Sequence, residues 1–286
     1  MTYFGFLLRF LVIPIFVLLW LVLRNDRSDS SIPGFRTGKA LWKAIGVHVL
    51  LAVVYTTPWD NYLVATRVWY YNPQLVTGIV FGYVPIEEYT FFVLETILSG
   101  LWWWFLARRL PLRAEQSSFK PNKPLIVVAA LTLIAIWIVA TVLLFFGNPS
   151  WTYLSIILFW ALPAILPQLL FGADILWHYR RLVGLAILVP GTYLSLMDIV
   201  ALRDTTWSIS PTQTTGVLFF GILPLEEALF FLITNVLIIF GMTLLLAQVS
   251  EVRFAAIRNQ VRVWLKRPVP PSSSQDRESN AARGNV

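Results

Sequence analysis

Cysteine is absent from the chain, so neither a disulfide nor a thiolate metal site can form. There are two histidines, His48 and His178, too few for a histidine-rich metal centre. No G-x-G-x-x-G follows a strand pattern and no P-loop occurs, so no nucleotide fingerprint is present. No D-D-x-x-D cluster is available for a magnesium diphosphate. Lysine is missing from the last long apolar run, which leaves a retinal Schiff base without an attachment point there. Charge is scarce as well, at 13% of residues. The formal net charge of +7 does not point to nucleic acid, because the basic residues lie mostly in polar loops and the tail, where membrane orientation accounts for them. No cleavable leader is expected: the first apolar run starts at once, lacks a basic n-region and is long enough to stay as a span.

Apolar length is what the chain has in abundance. Apolar residues make up 57% of the 286, and the mean hydropathy is +0.70. The pattern predicts an all-α polytopic membrane protein with about seven spans, near 2–23, 40–57, 78–105, 124–146, 150–171, 182–202 and 216–247. Basic residues alternate from loop to loop. Arg24, Arg27, Arg36 and Lys39 follow span 1. Arg108, Arg109, Arg113, Lys120 and Lys123 follow span 3, and Arg180 and Arg181 follow span 5. The tail carries seven more, whereas the opposite loops hold only Arg67 and Arg203. This predicts an outside N-terminus and a cytoplasmic C-terminus, in a multi-pass protein of the cell membrane.

The chain also repeats itself. At an offset of 138, Asp60, Trp69, Pro73, Thr77 and Gly78 fall on Asp198, Trp207, Pro211, Thr215 and Gly216. One inserted residue later, Gly82, Pro85, Glu87, Glu88, Phe91 and Phe92 fall on Gly221, Pro224, Glu226, Glu227, Phe230 and Phe231. Spans 1–3 therefore match spans 5–7, with span 4 left as a linking helix, and an even step makes the two three-helix repeats parallel. The expected division is a first repeat over 1–106, a cytoplasmic loop with the linking span over 107–149, a second repeat over 150–250, and a cytoplasmic polar tail over 251–286. The tail is rich in Pro and Ser from Pro268 and is expected to be largely disordered.

The duplicated stretch carries the candidate chemistry. Pro85-Ile86-Glu87-Glu88 and Pro224-Leu225-Glu226-Glu227 set two carboxyls after a proline inside an apolar run. A carboxylate at membrane depth costs roughly 2.5–3.5 kcal/mol on insertion scales, so it marks a functional site. Spans beginning near Gly78 and Gly216 would put Glu87 and Glu226 ten residues in, ~15 Å deep at ~1.5 Å per residue. The prolines would then kink the helices and free the carbonyls of Phe81 and Phe220. Adjacent glutamates diverge by about 100° on a helix, so Glu87 and Glu226 are given the central role and Glu88 and Glu227 a supporting one. Burial disfavours the carboxylate anion, which makes a buried glutamic acid a candidate proton donor. A hydrogen-bonded pair that only ties helices together is the structural alternative. Asp60 and Asp198 read either as supporting carboxyls or as interfacial partners of Arg67 and Arg203. Glu95 has no acidic counterpart in the second half, where Thr234 or Asn235 stands, and reads best as a one-sided structural contact. Phe91, Phe92, Phe230 and Phe231 are core residues or rings able to face a carbocation. Trp59, Trp69, Tyr70 and Tyr71, and likewise Trp102, Trp103 and Trp104, read as interfacial belts. Arg9 lies inside the first span and would suit a carboxylate partner.

With its duplicated Pro-x-Glu-Glu and upstream Asp60 and Asp198, the chain resembles the integral-membrane lycopene cyclase family in its fused form, over about residues 1–250. The resemblance implies acid–base cyclisation of the linear ψ-ends of lycopene to β-ionone rings, a redox-neutral reaction of the intramolecular-lyase class. It implies an acid, a base and a folded apolar pocket, with no metal and no flavin or other cofactor. Glu87 or Glu226 would be the acid, with Glu88, Glu227, Asp60 and Asp198 supporting it or acting as base. Pro85, Pro224 and the four phenylalanines would shape the pocket for a carotenoid reached from the membrane lipid. A C50 carotenoid cyclase or a carotenoid hydratase would use the same protonation. A proton-coupled transporter is the reading from another class, since it too uses repeats and buried carboxyls.

Overall fold

Helices long and apolar enough to cross a membrane dominate the computed structural model, which describes residues 1–24, 32–112 and 121–265. There are seven of them among the described residues: α1 Tyr3–Arg24, α2 Lys39–Ala65, α3 Ile86–Ala107, α4 Lys123–Phe146, α5 Pro149–His178, α6 Arg180–Arg203 and α7 Leu225–Leu246. The shortest have 22 residues, ~33 Å at ~1.5 Å per residue, which matches a hydrocarbon core. α1 contains a π-helical turn over Leu8–Val12.

Residues 1–250 form one compact unit, and α3 and α7 are its inner pair. α3 packs on α1, α2, α6 and α7, and α7 packs on α5, α6, α2 and α3. α4 lies along α5. The core has two parts. One gathers Tyr3, Trp69, Phe91, Phe92, Tyr153, Trp160, Phe230 and Phe231 at one end. The other gathers Trp103, Trp104, Tyr179 and Met242 at the opposite end.

The sequence expectation fails at the starts of spans 3 and 7. Residues 78–85 and 216–224 are not helical. Short strands β2 Val80–Phe81 and β3 Val84–Pro85 make one hairpin, and β5 Leu218–Phe219 and β6 Leu223–Pro224 make another. The first turns through Gly82 and Tyr83, and the second through Phe220, Gly221 and Ile222, so the inserted residue of the sequence comparison sits in a hairpin loop. Gly82 has φ +68°, and Asn61 Oδ1 would lie 2.1 Å from any Cβ there, so only glycine fits. Pro85 and Pro224 are extended residues immediately before α3 and α7, not interior kinks. There a missing N–H interrupts no helical bond. Glu87 and Glu226 consequently stand in the first helical turn, near one end of the bundle rather than ten residues deep.

A third strand pair joins the segment after α2 to the segment after α6. β1 Trp69–Tyr71 runs antiparallel to β4 Trp207–Ile209, with Tyr70 opposite Ser208 at its centre. Asn72 N–H donates to Thr206 O at 3.1 Å, and Ser210 N–H to Val68 O at 2.8 Å, each bond the 138-residue counterpart of the other. Arg67 and Thr205, also counterparts, both take the left-handed conformation at φ +58° and +51°. They close α2 and α6 through Val68 N–H to Leu63 O and Thr206 N–H to Ala201 O, a Schellman-type end.

Trp69 and Trp103 are buried, not belt residues; Trp103 donates to Thr243 Oγ1 at 3.0 Å. Arg9 reaches Met1 Sδ at 3.0 Å. In the second unit, the expected polar tail is helical as far as Leu265, within α8 Gln248–Leu265. The Pro/Ser-rich stretch from Pro268, and Arg27, Arg113 and Lys120 of the basic loops, lie outside the described residues.

Candidate active site

The first turns of α3 and α7 place both glutamate pairs at helix N-termini, where unsatisfied N–H groups and the helix dipole favour acidic side chains. Within each pair the two carboxyls go separate ways. Glu87 and Glu226 turn back to the preceding loops. Thr77 N–H donates to Glu87 Oε1 at 2.6 Å, and Thr215 N–H donates to Glu226 Oε1 at 2.7 Å. Their Oε2 atoms are buried without a partner.

Glu88 and Glu227 turn into the bundle. The Tyr3 hydroxyl donates to Glu88 Oε2 at 2.5 Å, and the Tyr153 hydroxyl donates to Glu227 Oε1 at 2.5 Å. The two tyrosines are themselves fixed alike: Tyr3 N–H donates to Leu75 O at 2.8 Å and Tyr153 N–H to Gln213 O at 3.0 Å. Glu88, Asp198 and Glu227 then line one cavity of about 30 Å³ with Tyr3, Tyr71, Trp69, Trp207, Phe91, Phe230 and Phe231. This departs from the sequence expectation, which set Glu87 and Glu226 at the centre.

Asp60 and Asp198 are buried five residues before the ends of α2 and α6, and neither pairs with Arg67 or Arg203. The interfacial ion-pair reading is therefore not what the fold contains. Asp198 Oδ1 accepts from Trp207 Nε1 at 2.8 Å. The matching Trp69 Nε1 is turned toward Asp60 but does not close the bond, and both groups are buried. Asp60 faces a small adjoining cavity with Trp69, Trp160 and Phe230, within electrostatic reach of Glu88. No lysine or arginine lines either space among the described residues.

The expected pocket residues divide. Phe91, Phe230 and Phe231 line the central cavity, and Phe91 meets Phe231 edge-on at 6.2 Å. Phe92 lines a neighbouring cavity with Glu95, whose Oε1 accepts from Thr234 at 2.7 Å. Pro85 and Pro224 shape the helix starts and lie outside these cavity walls. Tyr3, Tyr153 and Tyr71 were not singled out from sequence as site residues. Tyr3 and Tyr153 correspond at an offset of 150, so matching spans 1 and 5 directly would have found them. Tyr71, outside the helices, lines the central cavity, where burial and the neighbouring Asp60 and Glu88 push its phenol well above the ordinary range. It stays an O–H donor.

Four buried carboxyls, phenolic donors and a wall of aromatic rings can exchange a proton with an apolar molecule and face a cation formed on it. The chain is 40% identical over 204 residues to a lycopene beta-cyclase of Halobacterium salinarum, covering 71% of this chain and 82% of that one. It is 36% identical over 208 residues to a bifunctional lycopene cyclase/phytoene synthase of Podospora anserina, covering 69% of this chain and 34% of the longer relative. A protein of the same name in Aspergillus oryzae is 33% identical over 202 residues, with 70% and 34% covered. No family model and no solved structure matches. The identity to the halobacterial enzyme and its coverage place the chain among the membrane-embedded lycopene cyclases, and it belongs to the lycopene beta-cyclase family.

Proposed function

We propose that the chain is a lycopene beta-cyclase, closing linear ψ-ends of lycopene to β-ionone rings. The observation that carries the reading is the carboxyl cluster of Glu88, Asp60, Asp198 and Glu227 set against Trp69, Trp207, Phe91, Phe230 and Phe231. The halobacterial relative supports it by its name.

The reaction moves one proton in and one out. A carboxylic acid adds H⁺ to the terminal double bond, leaving a tertiary cation. The internal double bond attacks that cation and closes the six-membered ring. A carboxylate removes a ring proton to form the new double bond. Nothing is oxidised and no atom is lost, so this is an intramolecular-lyase reaction. Glu88 and Glu227 are the groups that exchange protons with the substrate, each oriented by a tyrosine hydroxyl. Asp60 and Asp198 support them from the neighbouring helices. The aromatic faces stabilise the cation through their ring quadrupoles. Glu87 and Glu226 hold the loops that shape the site.

The two-repeat architecture is part of this reading. The paired bonds at Tyr3 and Tyr153, at Thr77 and Thr215, and across β1 and β4 support it. Basic residues in alternate loops support an outside N-terminus and a cytoplasmic C-terminus. The test is expression in a lycopene-accumulating host with pigments separated by chromatography and weighed by mass spectrometry. Conversion to isomers of unchanged mass with cyclic ends is expected. A gain of one water per end would make the protein a hydratase, and untouched lycopene would sink the reading.

A further inference from the structure

The central cavity measures about 30 Å³, enough for a water or two and far too small for the end of a C40 chain. A larger space lies beside it. A cavity of about 220 Å³ opens between α2 and α5 and is floored by α3 and α7. Leu51 and Tyr55 in its wall are exposed on the side of α2, so its mouth faces the direction that lipid would occupy. The wall is mostly apolar, and several of its polar groups are turned to partners of their own: Glu95 to Thr234, Thr96 to Phe92 O, and His48 to Ala44 O, while Gln168 keeps a buried, unpartnered Oε1.

This cavity adjoins the carboxyl site through shared walls. Thr56, Trp160 and Phe230 separate it from the space in front of Asp60. Trp69 and Phe230 separate that space from Glu88 and Glu227. Tyr55 and Trp160 close the mouth above, with stacked rings 5.6 Å apart and the Tyr55 hydroxyl donating to Trp160 O at 2.8 Å. The other half has the matching bond, Tyr193 to Phe10 O at 2.8 Å, but bulkier neighbours. There Pro190 and Leu194 stand where this side has Ala52 and Thr56. On this side the Trp69 indole lies beside Asp60 without closing the hydrogen bond that Trp207 makes to Asp198.

We propose that the α2/α5 cavity is the binding channel for the polyene of a linear hydrocarbon carotenoid. The end group enters past Tyr55 and Trp160 and reaches the carboxyls once Phe230 and Trp69 swing aside. One end is processed at a time, from one side of the bundle. The inference rests on the cyclase reading and adds the path and its asymmetry.

The absence of cysteine makes the test clean. The full-length protein is placed in nanodiscs with a single cysteine introduced by Ala164→Cys in the channel. Val139→Cys, beside a separate cavity between α4 and α5, serves as the comparison. Labelling by N-phenylmaleimide is timed with lycopene or with squalane present. Lycopene should slow labelling at the channel position several-fold and leave the comparison position unchanged. Ala164→Trp should depress cyclisation at normal membrane levels, whereas Val139→Trp should not. If lycopene protects neither position while the wild type still cyclises it, the channel is wrong and the enzyme reading survives. If the wild type leaves lycopene untouched, the enzyme reading falls and takes the channel with it.

Discussion

Tyr153 places its hydroxyl 2.5 Å from Glu227, joining the first turn of α5 to the first turn of α7, and Tyr3 joins α1 to α3 in the same way through Glu88. A carboxyl buried in apolar surroundings needs such a donor, and removing one leaves a desolvated group costing about 1–3 kcal/mol. Tyr153→Phe and Tyr3→Phe should therefore each lower cyclisation by about five- to 160-fold, the factors to which those free energies convert. Lycopene conversion by membranes with matched protein content measures this. Unchanged rates in both variants would mean that the tyrosines do not position the carboxyls.

The two glutamates of a pair should respond differently to the same change. Glu88→Gln and Glu227→Gln remove the group proposed to give or take a proton and should cost at least about a hundredfold, the scale of general acid–base catalysis. Glu87→Gln and Glu226→Gln keep an oxygen to accept the Thr77 or Thr215 N–H, so they should retain most activity. Glu87→Ala loses that acceptor and should destabilise the loop by about 1–3 kcal/mol, seen as a lower melting temperature in detergent. Inactive Glu87→Gln beside active Glu88→Gln would return the first glutamate to the centre.

Asp60 and Asp198 provide an internal comparison. The Trp207 indole donates to Asp198 at 2.8 Å, whereas the Trp69 indole lies beside Asp60 without closing the equivalent bond. Both indoles pack against aromatic neighbours, so Trp→Phe removes similar ring area at each. Trp207→Phe should cost about 1–3 kcal/mol more than Trp69→Phe, because it alone strands a bonded carboxyl. Thermal unfolding of the two variants in one detergent checks the difference, and equal melting points would argue against it.

The seven spans and the duplicated Pro-x-Glu-Glu were legible because apolar length and a fixed offset survive without any knowledge of contacts. The hairpins were not. Ile79, Val80, Phe81 and Tyr83 are as apolar as a helix, and a short apolar run does not separate strand from helix. Gly78, Gly82 and Pro85 were the punctuation that should have stopped the helix early. That one shift moved the prolines out of the helices and the glutamates from mid-span to the first turn. It also hid which glutamate faces inward, since that depends on where the helix begins. The tyrosines stayed hidden for another reason. The offset grows from 138 to 150 between the later spans and the first, so Tyr3 and Tyr153 do not align with the rest of the motif.

Helix α7 passes close to α2 at Gly241. A Cβ there would lie 2.1 Å from His48 Nε2, and the ring cannot easily retreat because its Nδ1 is held 2.8 Å from Ala44 O. At Gly100 of α3 the nearest obstacle is Ile45 Cγ1 at 2.9 Å, part of a flexible side chain. Both substitutions gain about 1 kcal/mol of helix propensity. Overpacking typically costs about 1–3 kcal/mol, and the fixed ring puts Gly241→Ala at the costly end while rotation of Ile45 puts Gly100→Ala near neutrality. Gly241→Ala should therefore lower the melting temperature, and the double variant with His48→Ala should restore it by vacating the space. If Gly241→Ala alone is as stable as the wild type, α2 and α7 do not approach this closely at His48.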